Sequence, residues 1–439
     1  MGSQMQMLLK VTLEVVTVLL LASAGFSLYV MLHAWHSEEN NGDSTFPIYL
    51  GDEKVKFSIL IPARHEEDVL GVTLSKIAEI TYSDFEVIVI IGHDDDRTLA
   101  VARDSEQRFG GIIKVVIDDN WPKSKPKALN TGLRYCTGDF ITIFDAEDDV
   151  ASSILTRINM TVLATNAKII QAPVQLMNVS SNWFSFRNCL EYYLWFRSRL
   201  KWQSGFGVVP LGGNTVFIER NLLLELGGWD SDALTEDCDL GVRAGVVGAS
   251  VFVGYDSSVA TREETPLTLK AFAKQRSRWN QGFFQVLVKG DWMKVNGLGA
   301  KAVTFVTLIT PLIQVLNSLS FILAIVGVVY ARLGENQAIF LFTPLIVLFA
   351  TAVFEVLIAI ELCRDFDINL KVRYLVVLIL SLIPYQFILS FSAIYGVGRH
   401  VFGRKDWLKT DHTGAHRSLP LGSDTVTIQA SVVIEKKER

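Results

Sequence analysis

Cysteine is scarce in this chain: Cys136, Cys189, Cys238 and Cys363 stand far apart, with no Cys-x-x-Cys or other ligand spacing. That pattern indicates neither a disulfide framework nor a zinc site. Clustered basic charge is also missing. The 41 Lys and Arg are scattered among 46 Asp and Glu, for a formal net charge of −5. A nucleic-acid footprint needs a concentrated basic face, so nucleic acid is not expected as a partner. The apolar run at residues 8–33 lacks a small-residue cleavage site, which makes it an anchor rather than a removed signal peptide.

What the chain has in abundance is apolar sequence, half of its 439 residues, distributed very unevenly. Residues 8–33 are apolar for long enough to cross a bilayer, which needs about 20 residues. Three further runs follow at 301–331, 336–362 and 372–400. Between them the composition is that of a globular domain. The expected organisation is a membrane helix at 1–36, a polar linker at 37–54, a globular domain at 55–297, membrane helices at 298–400 and a polar tail at 401–439.

Inside the globular part, strand-like and helix-like segments alternate. Strands are expected at 55–62, 85–91, 112–117 and 139–144, and helices at 69–80, 98–109 and 126–136. This alternation predicts an α/β fold around a parallel sheet, with ligand chemistry beyond the carboxyl ends of the strands. Residues 182–203 and 267–288 interleave aromatic and basic side chains at helical spacing, which suggests helices lying in the bilayer interface.

Charged motifs fall where these apolar segments stop. Phe144-Asp145-Ala146-Glu147-Asp148 follows a strand, and its carboxylates at 145 and 147 can face one divalent cation. Mg²⁺ or Mn²⁺ joins one or two such carboxylates to substrate phosphates, and neutralises a departing diphosphate. Asp148 and Asp149 are alternative ligands or helix caps. Thr235-Glu236-Asp237 offers an acid that can take a proton from an attacking hydroxyl, although as a lone segment it also reads as a helix N-cap. Lys123-Ser124-Lys125-Pro126-Lys127 opens a helix, where backbone N–H groups and lysines can hold phosphate. Gly212-Gly213-Asn214 lets backbone approach a sugar ring closely. Gln275, Arg278 and Trp279 share one helical face; Arg278 suits a diphosphate and Trp279 offers a surface on which a sugar stacks.

Together with Arg64-His65-Glu66-Glu67 and His93-Asp94-Asp95-Asp96, these motifs in this order resemble the inverting, processive branch of family 2 glycosyltransferases, which includes cellulose, hyaluronan and chitin synthases. The resemblance covers roughly residues 55–290. It implies a GT-A fold and donor contacts from Ala63, Glu66, Asp94, Lys127, Asp145 and Arg278. It implies a metal, Mg²⁺ or Mn²⁺, on Asp145 and Glu147, catalysis by Asp237 with Glu236 beside it, and acceptor contacts from Gly213, Asn214, Gln275 and Trp279. The expected partners are a nucleotide sugar, most simply a UDP-hexose, membrane lipid, and a growing polysaccharide. A lipid receiving a single sugar is the alternative acceptor.

The sequence departs from the family pattern at three places. The first acidic motif reads Gly92-His93-Asp94-Asp95-Asp96, Glu147 replaces the commoner Asp, and the tail segment 405–413 only loosely resembles a gating loop. Nucleotide sugars are cytosolic, so a multi-pass plasma-membrane protein with a cytosolic catalytic domain is expected. A tail reaching the same active site would require an even number of crossings after residue 300, and a re-entrant course for 372–400 would supply it.

Overall fold

A computed structural model of the chain describes residues 3–35, 45–330, 335–404, 414 and 417. Nine strands form in the globular part: β1 (Phe57–Ala63), β2 (Phe85–Gly92), β3 (Ile113–Asp118), β4 (Phe140–Ile143), β5 (Ile169–Gln171), β6 (Val174–Leu176), β7 (Val216–Glu219), β8 (Val251–Val253) and β9 (Thr261–Glu263). Seven of them build one sheet in the order β3-β2-β1-β4-β7-β5-β8. The strands β1 to β4 run parallel, and β7 enters antiparallel between β4 and β5. A small parallel pair, β6 and β9, stands apart.

Successive strand residues face opposite sides of a sheet, and both sides here are buried. Phe57, Ile59 and Ile61 of β1, with Val87, Val89 and Ile91 of β2, enter one core. Leu60, Ile88 and Ile90 enter the other. Continuous apolar strands are therefore required rather than alternating ones, as the sequence predicts. The helices that cover the sheet start on local signals: the Asp95 carboxylate accepts from the Thr98 N–H (3.3 Å) at the head of Asp96–Arg108, and Pro126 occupies the first turn of Lys125–Leu133.

Among the described residues two helices, Met7–Leu32 and Thr343–Asp365, are long and apolar enough to span a membrane. Two bent pairs pass the same test together: Leu298–Leu308 with Thr310–Asn317 at 49°, and Val372–Leu380 with Leu382–Val401 at 53°. The second bend lies at Ser381 rather than at Pro384. Pro384 sits in the first turn of the new helix, where its missing N–H costs no hydrogen bond. The tail segment 405–413 lies outside the described residues.

The helices expected in the interface are helical, and arginines of the first turn inward. Ser185–Leu194 continues through a π-turn, Trp195–Arg199, into Leu200–Ser204. Arg187 is buried against Glu355 (2.8 Å), and Arg197 pairs with Glu361 (2.6 Å) and Asp365 (2.7 Å) of the long apolar helix. Leu269–Lys289 packs closely on Leu382–Val401, and Gly396 is the reason. A Cβ there would stand 2.4 Å from the Ser277 carbonyl and 3.0 Å from the Gln281 nitrogen. Gln281 also accepts from the Arg399 guanidinium (3.0 Å) across the same crossing. Replacing Gly396 by Leu is expected to destabilise the protein by about 1–3 kcal/mol through overpacking, read as a lower melting temperature in detergent than for Gly398→Leu, whose Cβ would meet open space.

Candidate active site

A cavity of about 570 Å³ opens at the carboxyl ends of β1 to β4 and runs on between the apolar helices. Its upper wall includes Ala63, Arg64, Glu66 and Asp118 from the strand ends, Lys123 and Lys125, and the Asp145 and Glu147 pair. Gly213, Asn214, Glu236 and Asp237 line its middle, followed by Gln275, Arg278 and Trp279. Phe26, Val30, Gln314, Thr351 and Glu355 belong to its lower part.

The acidic turn after β4 is braced from inside. Asp148 is fully buried; its carboxylate accepts from the Asp145 N–H (2.8 Å) and from the Asn214 amide (2.9 Å). Burial, then the carboxylate of Glu263, holds Asp148 well above the usual carboxylate range. Asp149 is engaged by Lys76 at 2.6 Å. Neither is placed as a cation ligand, unlike the alternative raised by the sequence. Asp145 and Glu147 both face the cavity. Among the described residues no group of three His, Cys, Asp or Glu forms a ready-made metal cage. Two carboxylates lining this lysine-flanked cavity nevertheless fit a hard cation whose other ligands are phosphate oxygens.

Lys125 is the hub. Its ammonium donates to Asp145 (2.5 Å) and to the Gly213 carbonyl (3.4 Å). Burial alone would lower its pKa, but the charges of Asp145, Glu236 and Asp237 outweigh burial and raise it. Asp237 lies against the glycine loop: a Cβ on Gly213 would be 3.1 Å from its Oδ2, and Gly213 has φ +81°. Its Oδ1 accepts from the Cys238 N–H at 2.8 Å. Burial and the neighbouring Glu236 push Asp237 up to about 7, against the opposing pull of Lys125 and Arg278. The helix here begins at Glu236, and Thr235 at its N-cap makes no side-chain capping hydrogen bond.

On helix Leu269–Lys289, Gln275, Arg278 and Trp279 do share the cavity face. The Gln275 Oε1 is enclosed with no hydrogen-bond partner. Arg276, between them, lies 4.9 Å over the Trp279 ring and donates to Glu191 and Asn188.

Two expected donor contacts lie elsewhere. Lys127 donates to the Pro122 carbonyl (3.0 Å) and does not line the cavity; Lys123 and Lys125 do. Two residues, a little over half a helical turn, separate 125 from 127, which sends their side chains in different directions. Asp94 pairs with Arg64 (2.8 Å) outside the lining, while Asp95 is committed to the His65 N–H (2.5 Å) and the helix start. The buried acid at the cavity is instead Asp118, the last residue of β3, whose carboxylate accepts from Thr131 (2.8 Å) and Asn120 (2.5 Å). Its position at a strand's carboxyl end is the signal that would have found it.

The family described as Glycosyltransferase like family 2 matches residues 55–282. Curated relatives include a probable glycosyltransferase, YdaM, of Bacillus subtilis, 28% identical over 54% of this chain and 57% of its own. A beta-monoglucosyldiacylglycerol synthase of Trichormus variabilis is 26% identical over 52% of this chain and 49% of its own. A poly-beta-1,6-N-acetyl-D-glucosamine synthase of Staphylococcus epidermidis is 24% identical over 65% and 70%. The chain thus spans about half the length of the first of these relatives. Among solved structures, a mannosyltransferase of Pyrobaculum calidifontis, in complex with GDP-Man and Mn²⁺, superposes with a TM-score of 0.61 at 17% identity, over 89% of this chain and 99% of that one. That likeness supports the GT-A type of fold. With a match over more than half of its length, this chain belongs to the family 2-like glycosyltransferases.

Proposed function

We propose that the protein transfers a hexose from a nucleotide sugar, most simply a UDP-hexose, to the hydroxyl of a membrane-borne acceptor, with inversion, extending a β-linked polysaccharide. The observation that carries this reading is the continuity of one cavity from the Asp145 and Glu147 turn, past Asp237, to the apolar helices. A donor held by the strand ends and an acceptor arriving from the membrane would meet at Asp237.

In this reading Asp237 takes the proton as the acceptor oxygen attacks the anomeric carbon from the face opposite the diphosphate. The bond to the diphosphate breaks, and an α-linked donor yields a β-product. Lys125 and Arg278 lie where negative charge develops on the leaving group, and fixed cations in an enclosed site stabilise it without reorganisation. Mg²⁺ or Mn²⁺ on Asp145 and Glu147 would supply further neutralisation of that diphosphate. Gln275, with its partnerless carbonyl, and Trp279 would hold the acceptor, and Gly213 leaves the space in which the hydroxyl meets Asp237. Asn214 would act indirectly, by bracing Asp148.

Transfer of a single sugar to a lipid is the second reading. Phe26, Val30 and Met31 give the lower cavity an apolar wall suited to a lipid, and a relative of that activity aligns over half the chain. Sizing the product formed from labelled UDP-sugars separates the two: a high-mass polymer or a sugar-bearing lipid. Donor binding and transfer are expected to vanish with EDTA and return with Mn²⁺ or Mg²⁺.

Asp237→Asn is expected to lower kcat by about 10²–10⁴-fold while nucleotide binding, measured by calorimetry, stays near wild type; turnover close to wild type removes Asp237 as the base. The base works ionised, and its pKa is raised to about 7. The kcat/KM profile should therefore rise with pH through about 7 and level above it.

A further inference from the structure

We propose that Arg417, in the C-terminal tail, is a positioning residue for the turn that presents Asp145 and Glu147. One end of its guanidinium donates to the Val69 carbonyl (3.0 Å). The other donates to the Glu147 carbonyl (2.8 Å) and to the Thr73 hydroxyl. Thr73 is fully buried and passes its own proton to the Ala146 carbonyl at 2.6 Å. A hydroxyl has one proton and can accept as well. Because arginine only donates, its bond to Thr73 leaves that proton aimed at Ala146. The carbonyls of residues 146 and 147 are thus both gripped from the side facing helix Leu70–Ala78, and the side chains of 145 and 147 are left to the cavity.

Charge acts in the same direction. Burial opposes the guanidinium's charge, while Asp149, Glu147 and Glu264 favour it, so a positive charge stands beside the acids of the turn. A lysine has the charge but not the fork that reaches Val69 and Glu147 together. Neither donor, Arg417 or Thr73, belongs to one of the sequence motifs, and Arg417 lies well over two hundred residues from the turn in sequence.

This role rests on the donor-site reading above, so its test has two separate readouts on the full-length protein in detergent. Hydrogen exchange without nucleotide reports the turn itself: Arg417→Ala should speed exchange of residues 144–149 by about tenfold, with Arg417→Lys intermediate. Thr73→Val should loosen the same amides, and the double variant should add little to the larger single effect. Mn²⁺ resonance titration with UDP reports the site: Arg417→Ala should weaken binding by about 10–100-fold, as loss of an outer support to metal ligands does. Unchanged exchange at 144–149 in folded Arg417→Ala overturns the positioning role. Wild-type protein that binds no Mn²⁺ with UDP overturns the donor-site reading instead.

Discussion

Three carboxylates, those of Asp145, Glu236 and Asp237, crowd around the ammonium of Lys125 at the cavity wall. Like charges gathered in an enclosed, poorly screened space repel strongly, and without a cation at the centre some of these acids would hold protons. With Lys125 in place, Asp145 is ion-paired, while burial and the adjacent Glu236 raise Asp237 to about 7. The arrangement depends on where helix Lys125–Leu133 begins, because its first residue supplies the charge.

The cavity is assembled from both halves of the molecule, so its shape depends on how firmly they are joined. Gly396 brings helices Leu269–Lys289 and Leu382–Val401 close enough for Gln281 and Arg399 to bond. Beneath the acceptor side, Arg187 and Arg197 are paired with Glu355, Glu361 and Asp365. Buried ion pairs contribute little net stability against apolar substitutes, yet breaking one strands a charge. Their effect here is to penalise any other register of Ser185–Leu194 against Thr343–Asp365, and so to fix Glu191 and Tyr192 at the cavity.

The parallel half of the sheet was legible because strands buried on both faces leave unbroken apolar runs, and each strand prediction from β1 to β4 falls within two residues of its element. Short strands β5 to β9 and the antiparallel entry of β7 leave no such trace in three or four residues. Motif residues with cavity-facing side chains were legible by spacing: 145 with 147, and 275 with 278 and 279. Choices among neighbours were not. Lys125 over Lys127, and Asp118 over Asp94, turn on side-chain direction at a helix start and a strand end, which composition does not encode. Arg417 was invisible for a different reason, since its partners are backbone carbonyls and a carbonyl has no sequence signature.

The contact of Arg417 with Val69 and Glu147 also constrains the path of the chain through a bilayer. Both partners belong to the globular domain, so the chain at 417 lies on that domain's side. Were these apolar runs to cross a bilayer, an even number of crossings between 297 and 417 would follow, although three runs intervene. Thr343–Asp365 is a continuous span by length, which leaves one crossing partner for it among the two bent pairs. The run that does not cross must satisfy the backbone groups exposed at its bend, since lipid offers none. At the bend near Ser381 this condition is met: Arg187 donates to the Leu378 carbonyl and to the Ser381 hydroxyl (3.2 Å). The globular domain thus caps a break in the apolar helix directly.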